Sequence, residues 1–197
     1  MISSQHKNKI KAALKSCVVG AMVFALTSNC ISNVNASYFS DLEAKKANAH
    51  AIAEEYRNIG RLEDSAEIIT AKRTWHEAQA QIDRELDILA RVIYFEAGSS
   101  WLSDRHQQLV ACVVLNRCKD ERFPDTIEEN IYREGQYACA EKLYSVTREQ
   151  IPERCYENAR IAAYGMVDCD AGVIYQAQFK QGTGTYERHG DTWFCYG

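Results

Sequence analysis

The chain has 197 residues, of which 46% are hydrophobic and 25% charged, and its formal net charge is −4. These values exclude a disordered chain and a strongly cationic nucleic-acid-binding protein, so we expect no nucleic-acid partner. The longest unbroken apolar run, residues 17–26, is about half as long as a membrane-spanning helix requires, so we do not expect an integral membrane protein.

The first 36 residues have the pattern of an export signal. They contain four lysines and no acidic residue, and the basic start precedes the apolar run and then Val34-Asn35-Ala36, whose small residues suit cleavage after Ala36. The alternatives are a buried amphipathic helix of a cytosolic protein and a lipoprotein signal with Cys30 as the lipid-bearing residue, although no small residue directly precedes Cys30. The pattern predicts a signal peptide over residues 1–36 and a mature protein that is secreted or held in the cell envelope.

Export changes what the cysteines predict. Six of them follow the leader: Cys112, Cys118, Cys139, Cys155, Cys169 and Cys195. An even number in an oxidising compartment favours disulfides, but six cysteines allow about 15 pairings, among which the sequence does not choose. Cys112 and Cys118 lie about 9 Å apart along one helical run, too far to bond to each other. Reduced core thiols are the alternative. No CxxC or CxH spacing occurs, so we expect no metal site and no cofactor.

Residues 37–84 are polar and helix-prone, and they contain no catalytic pattern. Apolar residues recur there at intervals of seven, as Leu42, Ala49 and Tyr56 and again as Ile52 and Ile59. We expect Gly60 to end this helix and a second helix to run through Trp75. The segment therefore predicts a helical extension in front of a separate domain over residues 85–197.

Glu96 stands at the end of the next helix. Leu86, Leu89 and Ile93 are spaced by three and four residues and share one helix face, on which Glu96 is the next member. We expect Gly98-Ser99-Ser100 to end the helix there. A carboxyl group at the edge of the core is partly desolvated, and desolvation favours the protonated form that a general acid needs. An exposed glutamate at a frayed helix end is the alternative.

The remaining residues predict a helical body with a small C-terminal β ribbon, an α+β fold. Capping patterns at Asp104-x-x-Gln107, Thr126-x-x-Glu129 and Thr147-x-x-Gln150 each predict a helix start. The first of these helices is apolar nearly all round and central. The third is expected to have Pro152 in its first turn and a packed face of Ala159, Ala162 and Met166. Strands are expected at residues 173–175 and 192–196, with a turn-rich loop at 182–186.

Five blocks of residues 85–197, in the same order, resemble the SleB/CwlJ-type cell wall hydrolases, which include spore-cortex lytic enzymes. The blocks are LARVIYFEA (89–97), VVLNR (113–117), FPDTI (123–127), GQY (135–137) and GDTWF (190–194). The resemblance implies a mainly helical, lysozyme-like domain that acts on peptidoglycan glycan strands, with its catalytic glutamate at Glu96. The family often continues the first block with Arg-Gly-Glu, where this chain has Gly98-Ser99-Ser100.

A lytic transglycosylase needs only one carboxyl group, and Glu96 is the one that the resemblance implies. We therefore expect Glu96 to act as general acid and base beside a groove for a glycan strand, giving 1,6-anhydromuramoyl ends. The surrounding shell is expected to comprise Tyr94, Asn116, Arg117, Gln136 and Tyr137. For Asn116 and Arg117, holding the end of the buried helix is an equal alternative.

Three other functions stay open. Hydrolysis needs a second carboxylate, for which Asp104, Glu141 and Asp191 are the candidates. A peptidoglycan-binding or spore-coat module without activity fits the absent arginine and glutamate after Glu96. A cysteine nucleophile with His189 as its base is the third alternative.

Overall fold

The computed structural model describes residues 37–197. The predicted signal peptide, residues 1–36, lies outside the described residues. Within 37–197, no helix combines the length and the apolar content that crossing a membrane requires.

Two long helices form an antiparallel hairpin at the start of the described chain. Helix α1 spans Ser40–Asn58 and helix α2 spans Ala66–Ala97, and Gly60 adopts a φ of 78° in the connection between them. Small side chains line the contact between the helices and are buried there: Ala49, Ala53, Ala71 and Ala78. These alanines are the buried apolar side of an otherwise polar hairpin.

Helix α2 is one continuous helix of 32 residues that passes through the boundary expected near residue 85. Its first half belongs to the hairpin, and its second half is buried in the core through Leu86, Leu89 and Ile93, as the apolar stripe predicts. Phe39, just before α1, is also fully buried in this core. The predicted extension and the predicted domain over 85–197 therefore share one continuous helix.

Helix α3, Asp104–Arg117, is the buried centre of the domain. The predicted cap at Asp104 is wrong by one residue, because the hydroxyl of Ser103 accepts the hydrogen bond from the backbone N–H of His106 at 3.2 Å. The cap predicted at Thr126 is confirmed. Its hydroxyl accepts a hydrogen bond from the backbone N–H of Glu129 and starts helix α4, Ile127–Tyr132.

Two short 3-10 helices, Ala140–Ser145 and Arg148–Gln150, lead to helix α5, Glu153–Ala163. The pattern at Thr147 caps the second 3-10 helix and not α5, because Pro152 interrupts the backbone hydrogen bonding and becomes the N-cap of a separate helix. Ala159 and Ala162 are buried as predicted. Met166 is 63% exposed, because α5 ends three residues earlier and Met166 is no longer on its face.

The chain ends in a three-stranded antiparallel sheet of β1 (Val173–Ala177), β2 (Gly184–His189) and β3 (Thr192–Tyr196), in the order β1-β3-β2. The two predicted strands are confirmed. The loop predicted over residues 182–186 is wrong for most of its length, because Gly184–His189 forms an edge strand that pairs with β3. A mainly helical α+β domain with a small C-terminal sheet is therefore the observed fold.

Candidate functional site

Glu96 is exposed, and the expectation of a partly desolvated carboxyl group is wrong. The apolar stripe of α2 continues from Ile93 by four residues to Ala97, which is 1% exposed, instead of by three residues to Glu96. Gly98 caps the helix, as expected. The carboxylate therefore stands at the solvent-facing side of the last helical turn, where it is open to a ligand.

Two buried side chains from a loop near the middle of the chain interact with Glu96, Cys139 through a hydrogen bond and Tyr137 through the charge of the carboxylate. The thiol of Cys139 donates a hydrogen bond to the Glu96 carboxylate, and burial together with this negative charge raises the pKa of Cys139 to about 12. Tyr137 is 7% exposed, and its hydroxyl has no hydrogen-bond partner among the described residues. Burial raises the pKa of Tyr137, Arg117 lowers it and Glu96 raises it further. Both groups therefore stay protonated beside the carboxylate at neutral pH.

The loop that carries Tyr137 turns at Gly135, whose φ of 75° is in the left-handed region that glycine adopts without strain. Gln136 is half-buried, and its backbone N–H donates to the carbonyl of Arg133 at 3.1 Å. Tyr94 is also half-buried, and its ring packs edge-to-face on Phe95 at 5.2 Å. The structure thus brings Tyr137 to Glu96, and it places Tyr94 two residues before Glu96 on the same helix.

Asn116 and Arg117 hold the end of α3 to the chain around β1. The amide of buried Asn116 donates to the carbonyls of Asp170 at 2.9 Å and Val173 at 3.0 Å. Arg117 donates from Nε to the carbonyl of Ile174 at 2.7 Å. These contacts turn both side chains inward, although Nη1 of Arg117 has no hydrogen-bond partner among the described residues, and they support the alternative that the two residues hold the buried helix rather than a sugar.

Arg117 also acts on the site indirectly. Its guanidinium lies 5.1 Å from the ring of Phe123 and 5.4 Å from the ring of Tyr137. Such cation–π contacts fix the position of a ring as well as stabilising it. Arg117 therefore positions Tyr137 beside Glu96.

The three candidate second carboxylates occupy different surroundings. Asp104 accepts hydrogen bonds from Asn158 at 2.9 Å and Arg154 at 2.6 Å, and these bonds lower its pKa. Asp191 lies 3.9 Å from Arg188 at the turn between β2 and β3. Glu141 is exposed and follows Cys139 by two residues in the first 3-10 helix. Of the three, Glu141 is the one that is close in sequence to a residue contacting Glu96.

His189 has a carboxylate and two rings as its neighbours. Its Nε2 lies 2.7 Å from Glu187, and its ring is 5.8 Å from that of His106 and 6.0 Å from that of Phe194. Nothing among residues 37–197 supports the alternative of a cysteine nucleophile that has His189 as its base. His106 itself is 3% exposed, and neither ring nitrogen has a hydrogen-bond partner in the described chain.

Cys139 is the site residue that sequence reasoning missed. In the sequence it counts among the candidate disulfide cysteines, although it follows Tyr137 by two residues in the same loop.

None of the six cysteines described is joined in a disulfide. Residues 37–197 also contain no group of three or more histidines, cysteines and carboxylates arranged to hold a metal ion.

Two cavities of about 500 and 490 Å³ are lined by other residues. The first lies between α2 and α4 and includes Glu85, Ile88 and Tyr144. The second lies between α1 and α2 and includes Ile52 and Tyr56. Neither is lined by Glu96, so the expected groove for a glycan strand is not one of them.

Residues 102–193 match the family model described as Cell Wall Hydrolase. Among solved structures, the crystal structure of the catalytic domain of the Bacillus cereus SleB protein is similar, with 21% sequence identity and a TM-score of 0.47; the similarity covers 57% of this chain and 90% of that chain. No curated protein matches the chain. The family resemblance is confirmed, and the matched range begins after Glu96.

Proposed function

We propose that this chain, which belongs through residues 102–193 to the cell wall hydrolase family, cleaves the glycan strands of peptidoglycan with Glu96 as its general acid and base. The observation that carries this proposal is the position of Glu96. Its carboxylate is exposed at the end of α2 and is contacted by Cys139, which lies inside the matched range. A general acid has to reach the oxygen that it protonates, and an exposed carboxyl group at a helix end meets that requirement.

The reaction that we favour is lytic transglycosylation. The Glu96 carboxyl group gives its proton to the glycosidic oxygen, the bond from that oxygen to C1 breaks, and positive charge develops at C1. The resulting carboxylate takes the proton of the C6 hydroxyl of the same muramic sugar, and the C6 oxygen bonds to C1. The product has a 1,6-anhydro end, and Glu96 is protonated again. The attack is intramolecular, so the nucleophile is already held close to C1.

The use of a single carboxyl group is supported by the surroundings of Asp104, one of the three candidates for a second carboxylate. Asp104 is held in an ion pair with Arg154, which keeps it ionised and engaged. Because Glu96 is exposed, we propose that the bound strand itself excludes water from the carboxyl group, which favours the protonated form. Cys139, which is protonated and buried, contacts the carboxyl group, and Tyr137, also protonated and buried, interacts with its charge.

Hydrolysis by two carboxylates is the second candidate function. It is favoured by the place of Glu141, which is exposed and lies two residues after the thiol that contacts Glu96. In that mechanism, Glu141 activates a water molecule that attacks C1, and the product has a reducing end. The product of hydrolysis is heavier than the anhydro product of transglycosylation by one water molecule.

The decisive experiment uses the full chain and purified peptidoglycan, with mass spectrometry of the released muropeptides. We expect anhydro ends from the wild type, and we expect Glu96→Gln to lose activity by about 100-fold or more while staying folded, because the amide cannot supply a proton. Glu77→Gln is the matched control, since Glu77 is exposed on the same helix and is expected to leave activity unchanged.

Each other outcome selects a different function. Reducing ends, together with inactivation by Glu141→Gln, would establish hydrolysis. Full activity of Glu96→Gln would remove Glu96 from the mechanism. Binding of peptidoglycan by the wild type without release of fragments would leave a binding module.

The proposed substrate places the protein in the cell envelope or outside the cell. Peptidoglycan is an extracytoplasmic polymer, and the leader predicted over residues 1–36 would supply the export. Sequencing the amino terminus of the protein recovered from cell envelopes tests this, with a start near Ser37 as the expected result.

A further inference from the structure

Cys112 and Cys169 meet in the interior although they are far apart in the chain. Cys112 lies on α3 and is 5% exposed, and Cys169 lies in the segment between α5 and β1 and is 4% exposed. Their side chains are in hydrogen-bond contact with each other. The sequence left all pairings open except the one between Cys112 and Cys118, so this contact singles out one pair.

The surroundings hold the two sulfur atoms together. Asn116, one turn after Cys112 on α3, has its amide nitrogen 3.9 Å from the sulfur of Cys169, and it donates to the carbonyl of Asp170 at 2.9 Å. Arg105, at the other end of α3, donates to the carbonyl of Asp168 at 2.7 Å. The residues on both sides of Cys169 are therefore bonded to the helix that carries Cys112.

Two other thiols among the described residues have different neighbours. Cys118 lies 3.4 Å from the amide of Asn130, which donates to it. Cys139 donates to Glu96. These two thiols are thus engaged with an amide and a carboxylate.

We propose that Cys112 and Cys169 form a disulfide that joins α3 to the segment before β1. The bond would close a loop across much of the domain and fix the sheet to the helical body. It is independent of the proposed function, because neither cysteine contacts Glu96.

The chemistry of the pair suits thiol–disulfide exchange with a small disulfide such as oxidised glutathione. Both sulfur atoms are buried in the folded protein, so the exchange takes place during folding, while Cys169 is still accessible. Its thiolate attacks one glutathione sulfur, the glutathione disulfide breaks, and one glutathione thiolate leaves.

The second step completes the bond. The Cys112 thiol gives up its proton and attacks the sulfur of Cys169 in the mixed disulfide, which releases the second glutathione thiolate. The two protein thiols are oxidised, one glutathione disulfide is reduced to two glutathione molecules, and the two protons pass to them.

The test is to refold the reduced full chain in a buffer of reduced and oxidised glutathione, block the remaining thiols and map tryptic peptides without reduction. Trypsin gives residues 106–117 and residues 161–180 as peptides that contain only Cys112 and only Cys169, respectively. We expect these two peptides to appear joined. The melting temperature should be higher than that of the reduced protein by roughly 5 to 15 °C.

Two variants make the result specific. Cys112→Ser should lose the joined peptide and the rise in melting temperature on oxidation. Cys118→Ser, whose sulfur lies on the same helical run, should keep both. Recovery of the two wild-type peptides separately, whether as blocked thiols or as glutathione adducts, would overturn the proposal, and so would either peptide joined to another cysteine. None of these outcomes tests the proposed function, which is tested separately by the release of muropeptides by the reduced protein.

Discussion

Arg91 joins the long helix α2 to the loop region beside the candidate site. Its Nε donates to Asp87 at 2.7 Å, and its Nη1 donates to the carbonyls of Leu143 and Val146, each at 2.8 Å. The Arg91 side chain is 7% exposed and that of Asp87 is 28% exposed. Arg91 therefore supports the 3-10 helix that follows Cys139, and we expect its replacement to lower the free energy of unfolding strongly.

The substitution Arg91→Met keeps the apolar stem and removes the charge and the donors. Breaking a buried ion pair by removing one partner costs about 3–5 kcal/mol. Asp87 is partly exposed and keeps a hydrogen bond from Tyr156 at 2.6 Å, so we expect the lower end, about 3 kcal/mol. Arg73 provides the matched control, because it lies on the same helix and pairs at 3.8 Å with Glu77, and both side chains are more than half exposed. Arg73→Met should cost about 0.5 kcal/mol or less.

The assay is urea unfolding of the full chain at neutral pH, followed by far-ultraviolet circular dichroism. The difference should become smaller in strong acid without disappearing, because the hydrogen bonds from Arg91 to the carbonyls of Leu143 and Val146 do not depend on the Asp87 carboxylate. Burial alone would raise the pKa of Asp87, but the hydrogen bonds from Arg91 and Tyr156 outweigh it and lower the pKa. The pair therefore contributes stability above the ordinary aspartate value of 3.8, and this is lost as the pH falls through the lower folded-state value. Equal destabilisation by Arg91→Met and Arg73→Met at neutral pH would refute the reasoning.

Three further predictions concern stability. Burial and the nearby His189 lower the pKa of His106, so the unfolded state binds the proton more readily than the folded state. The melting temperature should therefore fall as the pH drops below about 6.5. This fall should be smaller in His106→Leu, and an unchanged pH profile in that variant would contradict the prediction. Asn116→Ala should lower the free energy of unfolding, measured by urea titration, by about 2–4 kcal/mol. It should leave the KM for peptidoglycan unchanged, and a raised KM would instead support Asn116 as a sugar-binding residue. Thr126→Ala should cost about 1 kcal/mol through loss of the helix cap and Thr126→Ser much less, measured in the same titration, and equal losses would rule out the cap.

Features that depend on neighbours in the sequence were the ones predicted well. The stripe of Leu86, Leu89 and Ile93 identified the buried face of α2, and Thr126 identified the start of α4. Both signals act within one or two helical turns, since side-chain spacing and capping are local properties of the backbone. The strands around Ile174 and Phe194 follow from the same kind of local pattern.

Features that depend on distant parts of the chain were predicted poorly. Positions three and four residues beyond Ile93 both continue the apolar stripe, and packing of the rest of the domain buries Ala97 and leaves Glu96 in solvent. The strand β2 has a polar, glycine-containing sequence, and it exists because β3 offers it an edge to pair with.

The amino-acid pattern was sufficient to predict a mainly helical fold, to show a resemblance to the cell wall hydrolases and to make Glu96 a candidate, because helix periodicity and motif order are properties of the sequence itself. The three-dimensional packing was needed to bring Tyr137 and Cys139 to that carboxylate, to turn Asn116 and Arg117 inward and to set Cys112 against Cys169. These pairs are separated by dozens of residues, and contacts at such separations depend on how whole helices and strands pack, which no local spacing records.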